Sequence, residues 1–124
     1  MALEIKYLTN ELLSDILGGE PVGGNITLFD GDVYWSIPND KEVSHLTVRK
    51  INVYELNEII LGWALKRGYK IVTELEPYGI EFKVIGENES IFSSESYTSY
   101  ASYWFPTRFE VMEFCADQIY KGFR

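Results

Sequence analysis

A chain of 124 residues, 46% apolar and 15% aromatic, can fill one core and is expected to form a single domain over 1–124. Nineteen acids against eleven bases leave a formal charge of -8, which a phosphate backbone repels, so direct grip on nucleic acid would need a local basic patch, and the sequence has none. The lone cysteine, Cys115, excludes an intrachain disulfide, and no run of about 18 apolar residues or basic-then-apolar leader argues for a membrane or export, so the expected location is the cytoplasm, of a cell or of a host carrying a phage or mobile element.

Leu8, Leu12, Leu13, Ile16 and Leu17 recur at helical spacing. They predict a short helix over about Asn10–Leu17, capped by Thr9 or Asn10 and stopped by Gly18 and Gly19. Glu20 to Gly24 reads as a Pro and Gly loop. Ile26–Phe29 and Asp32–Ile37 flank Asp30 and Gly31, a two-residue signal for an antiparallel hairpin. Pro38, Asn39 and Asp40 close it, and after a polar stretch through His45 the segment Leu46–Ile51 alternates as a further strand.

Asn52 precedes Glu55 by three residues, the spacing of a capping box, and predicts the start of a second helix. Its apolar face is Leu56, Ile59, Ile60, Trp63 and Ala64, with Lys66 and Arg67 in the last turn and Gly68 beyond it. Tyr69, Ile71, Thr73 and Leu75 then alternate, turn at Pro77, Tyr78 and Gly79, and return as Ile80, Phe82 and Val84. Setting Glu76 opposite Glu81 places Leu75 with Phe82 and Glu74 with Lys83, one face apolar and the other charged. Gly86 to Ser90 turns into a third strand at Ile91 and Phe92. Thr107 and Glu110 predict a capping box behind Pro106, opening a last helix whose face is Met112, Cys115, Ala116 and Ile119. The sum is an α+β domain, a small two-layer sandwich of antiparallel sheet and about three helices in the order α-β-β-(β)-α-β-β-β-α.

The helix, three strands, helix order is shared with double-stranded RNA-binding domains. Those place a basic cluster at the start of the last helix, where this chain reads Phe105, Pro106, Thr107, Arg108, Phe109, Glu110, one cation and one anion. Topology without the contact residues carries no function.

No catalytic, cofactor or metal set is legible. His45 is the only histidine, too few for a two-histidine zinc site, and Cys115 sits mid-helix in register with Met112 and Ile119 as a small core residue rather than the partner of a Cys115–His45 dyad. Asp30 and Asp32 bracket Gly31 as turn residues, without the further acids of a calcium loop. The glycine pairs Gly18–Gly19 and Gly23–Gly24 lack phosphate-cradling spacing, and no G-x-S-x-G elbow occurs.

Two features are expected to make contacts. The segment from Ser93 to Phe105 spaces Tyr97, Tyr100 and Tyr103 among serines and ends in Trp104, a composition that recognition surfaces favour. Glu76 and Glu81 form an acid pair beside a turn. The expected function is therefore a small acidic, non-catalytic binding protein that docks on a basic protein, as immunity proteins and anti-defence inhibitors do when they occupy a nucleic-acid site. A self-associating accessory protein, with a homodimer through an edge strand or tyrosine patch, is the alternative. A small-molecule binder or enzyme using Glu76, Glu81 and Trp104 ranks last.

Overall fold

The computed structural model describes residues 5–37, 47–77, 79–87, 89–93 and 107–122. His45, Tyr97, Tyr100, Tyr103 and Trp104, singled out by sequence, lie outside these residues. The described part is α+β. Three helices accompany two antiparallel sheets of three strands each.

Helix α1, Asn10–Ile16, starts because Thr9 Oγ1 accepts the amide of Leu12 at 3.1 Å. Asn10 is not the cap; its Nδ2 donates to the Gly24 carbonyl at 3.1 Å. Leu12, Leu13 and Ile16 are buried, and Gly18 and Gly19 end the helix at φ 78 and 90, which side-chain-bearing residues rarely adopt.

The first sheet pairs β1 (Gly23–Phe29), β2 (Asp32–Ile37) and β3 (Thr47–Asn52) in that order. Phe29 opposes Asp32, so the connection is the two-residue Asp30–Gly31 turn, with φ 52 and 79 as a type I′ hairpin requires. Gly23 and Gly24, expected in the preceding loop, belong to β1, where the pairing slips between Gly23 and Thr27. Glycines are tolerated at such an irregularity because the ladder is already broken there.

Helix α2 spans Val53–Lys66, and Asn52 Oδ1 accepts the Tyr54 amide at 2.9 Å. Its buried face is Leu56, Asn57, Ile60, Trp63 and Ala64. Ile59, expected on that face, is 36% exposed, while Asn57 is 2% exposed. The rotation carries a polar amide inward where the apolar pattern pointed to isoleucine.

The second sheet orders β4 (Tyr69–Glu76), β5 (Gly79–Gly86) and β6 (Glu89–Ser93). Helix α3, Arg108–Lys121, begins where Thr107 Oγ1 accepts the Glu110 amide at 3.2 Å and ends at Gly122, φ 70. Only the forward half of the expected capping box forms there, because the Glu110 carboxylate meets Lys6 Nζ at 2.6 Å. α2 and α3 pack on each other and on β4, α3 also on β5, and α1 sits against β1, α2 and α3. Leu12, Leu13, Val33, Leu56, Ile60, Val84, Val111 and Met112 are inaccessible and join one hydrophobic cluster. Phe114 links its edge to Tyr7 and Phe82 through edge-to-face rings at 5.0 and 5.7 Å.

The N-terminal segment is held by α3. Glu113, 1% exposed, accepts the backbone amides of Lys6, Tyr7 and Leu8 on one oxygen, Oε1, at 3.0, 2.6 and 3.0 Å. α1 and α2 are joined by Asp15, whose Oδ2 accepts from Trp63 Nε1 at 2.8 Å and from Arg67. The Arg67 guanidinium lies over Trp63 and Tyr120, 4.8 and 5.5 Å from the ring centres. Among the described residues no helix is long and apolar enough to cross a membrane.

Candidate functional site

The β4–β5 hairpin alternates because its period of two must bury one face under α2 and α3. Ile71, Ile80, Phe82 and Val84 supply the covered face, at 8% exposure or less. Residues of the other parity, among them Val72, Glu74, Glu76, Glu81 and Lys83, share the opposite face. Strand pairing runs to Glu76 opposite Gly79, two residues tighter than expected. Gly79 permits this closure at φ 144. Glu76 and Glu81 are consequently not directly opposed: Glu74 faces Glu81, Leu75 faces Ile80, and Val72 faces Lys83. The shift is even, so the two faces keep their residues.

The tighter register adds a third acid to the expected pair. Carboxylate oxygens of Glu74, Glu76 and Glu81 lie within 4.8 Å of one another, Glu74 exposed and the other two half-buried. Directly opposed like charges destabilise a sheet by roughly 0.2–1 kcal/mol. Among the described residues Glu110, Glu20, Asp15, Glu58 and Asp117 pair with Lys6, Arg49, Arg67, Arg108 and Lys121. Beside the cluster two apolar side chains face solvent, Val72 at 38% and Leu75 at 82% exposure. Leu75 has the parity of the covered face but stands at the hairpin end, past the helices. Strand β4 is also an edge of its sheet.

Such a surface attracts guanidinium and ammonium groups and offers apolar area for their stems. Three carboxylates on an open face, counted at one oxygen each, supply at most half of the 6–8 oxygens that a calcium ion takes at about 2.3–2.6 Å.

The other residues weighed from sequence divide plainly. Cys115 is inaccessible, and burial pushes its thiol well above the ordinary cysteine range, away from the thiolate that nucleophilic chemistry needs. Asp30 is exposed in its turn, and Asp32 Oδ1 accepts from Asn52 Nδ2 at 3.5 Å, tying β2 to the start of α2. Sequence reasoning missed the row of buried acids on α3, Glu110, Glu113 and Asp117, 9%, 1% and 5% exposed. Their i, i+3, i+7 spacing was the available signal, but each needs its own donor to sit inside: Lys6, the three amides, and Lys121 Nζ at 2.9 Å. No protein family, no curated protein and no solved structure matches this chain.

Proposed function

We propose that this chain is a non-catalytic binding protein of the cytoplasm that docks a positively charged protein through the outer face of the β4–β5 hairpin. The observation that carries the reading is the convergence of Glu74, Glu76 and Glu81 within 4.8 Å on a face that also exposes Val72. Glu74 and Glu81 stand directly opposite each other across the strands, a like-charge arrangement that a basic partner would relieve. In a chain of net charge -8 the same face adds long-range attraction, which raises association rate and sets specificity more than it raises affinity. A partner that binds nucleic acid presents the complementary surface, so occupation of that surface makes this protein an inhibitor of the immunity or anti-defence kind.

The test compares two triple variants of equal charge change. Glu74→Gln/Glu76→Gln/Glu81→Gln removes the cluster, and Glu11→Gln/Glu55→Gln/Glu87→Gln neutralises three exposed acids elsewhere. Binding of an oligoarginine peptide is measured by fluorescence anisotropy over a salt series. The cluster variant is expected to lose about tenfold in affinity and to flatten the salt dependence, while the control loses less than about twofold. Equal loss in both would mean that net charge acts without a located surface and would remove the proposal. A second reading, self-association along the β4 edge, is favoured by Leu75 and is decided by light scattering: a dimer that Leu75→Lys dissolves supports it.

A further inference from the structure

Away from the hairpin, a cleft of about 430 Å³ opens where the Asp30–Gly31 turn meets the first turns of α2 and α3. Local chemistry fixes this meeting point. The Val53 amide donates to the Gly31 carbonyl at 2.9 Å, which pins the turn to the start of α2, and α3 packs alongside α2. Its wall is apolar, with Leu28 and Phe109 buried and Val53 half-buried.

Set among these is Asn57, 2% exposed, with an Oδ1 that has no hydrogen-bond partner. A buried amide oxygen without a donor costs about 1–3 kcal/mol, and native interiors rarely leave one. Helix propensity gives no reason for asparagine here, since leucine forms helix better and would extend the wall. Asn57 therefore lines the cleft with an acceptor that has nothing to accept and is itself closed to solvent.

Its rim carries one charge of each sign. Arg108 opens α3 with its side chain 44% exposed, and its ion-pair partner Glu58 is 4.0 Å away, at the limit of such a contact. The Thr107 cap takes the Glu110 amide, so the amides of Arg108 and Phe109 stay outside the capping bond at the positive end of the helix dipole. On the turn side stands exposed Asp30.

We propose that this cleft binds an aromatic α-amino acid, or an amphoteric small molecule of that class. The carboxylate lies at Arg108 and the α3 N-terminus, and the ammonium at Asp30. The ring packs among Leu28, Val53 and Phe109, and the Asn57 amide, otherwise closed to solvent, turns toward the ligand so that Oδ1 accepts from a ring-borne donor, phenol O–H or indole N–H. A cleft of this volume with an apolar lining and few polar groups suits a ligand of that size. The proposal is independent of the acidic hairpin.

Calorimetric titration of the full chain tests it with four compounds: L-tyrosine, L-phenylalanine, tyramine, which lacks the carboxylate, and 3-(4-hydroxyphenyl)propionate, which lacks the ammonium. L-tyrosine is expected to bind with Kd below about 1 mM and about tenfold more tightly than L-phenylalanine, whose ring leaves Asn57 unmet. Asn57→Leu is expected to erase that ratio. Arg108→Gln should weaken the propionate more than tyramine, and Asp30→Asn, which the turn tolerates at φ 52, tyramine more than the propionate. No heat from any of the four at about 1 mM, or equal affinity for tyrosine and phenylalanine, overturns the proposal. Should Asn57→Leu fail to fold, the tyrosine to phenylalanine ratio of the unmodified chain and the two rim variants still decide.

Discussion

Replacing Glu113 with alanine removes the single oxygen that gathers the amides of Lys6, Tyr7 and Leu8. The Leu8 amide is buried and cannot recover its bond from water, while those of Lys6 and Tyr7 are part-buried and can if the segment lifts. An unsatisfied buried donor costs about 1–3 kcal/mol and a hydrogen bond to a charged group is worth about 1.5–3, but deleting the carboxylate also abolishes the cost of burying its charge. The expected net destabilisation is about 2–4 kcal/mol, read as a drop in Tm of roughly 8–15 °C. Urea unfolding followed by tryptophan fluorescence measures it, with loss of hydrogen-exchange protection at the Leu8 amide as the local readout.

Glu113→Gln separates the two contributions, because Oε1 still accepts while the charge is gone. Burial, opposed by the three amides and reinforced by the Glu110 charge, raises the Glu113 carboxyl above the ordinary glutamate value. The native state then holds this proton more tightly than the unfolded chain. Its contribution to stability falls as pH rises from the ordinary glutamate range through the raised value. The unmodified protein should lose stability relative to Glu113→Gln across that interval. An alanine variant within about 0.5 kcal/mol of the parent, or a glutamine variant whose difference does not vary with pH, would refute the reasoning.

Leu56→Ala, at an inaccessible α2 position in the core cluster, should cost about 2–5 kcal/mol in the same urea assay. Trp63→Phe removes the donor to Asp15 and part of a buried ring, and should cost at least about 1 kcal/mol at neutral pH by thermal melting. Asp15 is held below the ordinary carboxylate range by the Trp63 bond first and Arg67 second, so its stabilisation is present above the ordinary aspartate value and lost as pH falls through the lowered one. The variant should therefore show a shallower acid decline. Neutralising Glu74, Glu76 and Glu81 together should raise stability by about 0.5 kcal/mol, since it relieves cross-strand repulsion, and calorimetric melting reads the sign.

What sequence made legible followed from signals that act over a few residues. Asp30–Gly31 gave its hairpin, Asn52 and Thr107 gave their caps, and Gly18 and Gly68 stand at positive φ just past their helices. Element order came with them. Hairpin register did not, because Glu76 opposite Glu81 and Glu74 opposite Glu81 preserve the same two faces and differ only in how tightly the chain turns at Gly79. Nor did the inward amide of Asn57, since a helix can rotate by a fraction of a turn and satisfy nearly the same apolar pattern. The division of strands into two sheets depends on long-range packing that no local signal encodes. Of the contact residues expected, Glu76 and Glu81 do share a face, and Glu74 joined them through the register; Tyr97, Tyr100, Tyr103 and Trp104 fall outside the described residues.

The sealed position of Cys115 gives the protein its own reporter. As the only thiol in the chain, and inaccessible on α3, it should react with an alkylating reagent only in molecules that have transiently opened. With closing faster than alkylation, the labelling rate divided by that of an unstructured thiol gives the fraction opened at any moment. The free energy of that fluctuation can then be followed without denaturant, and without engineering a probe into the chain.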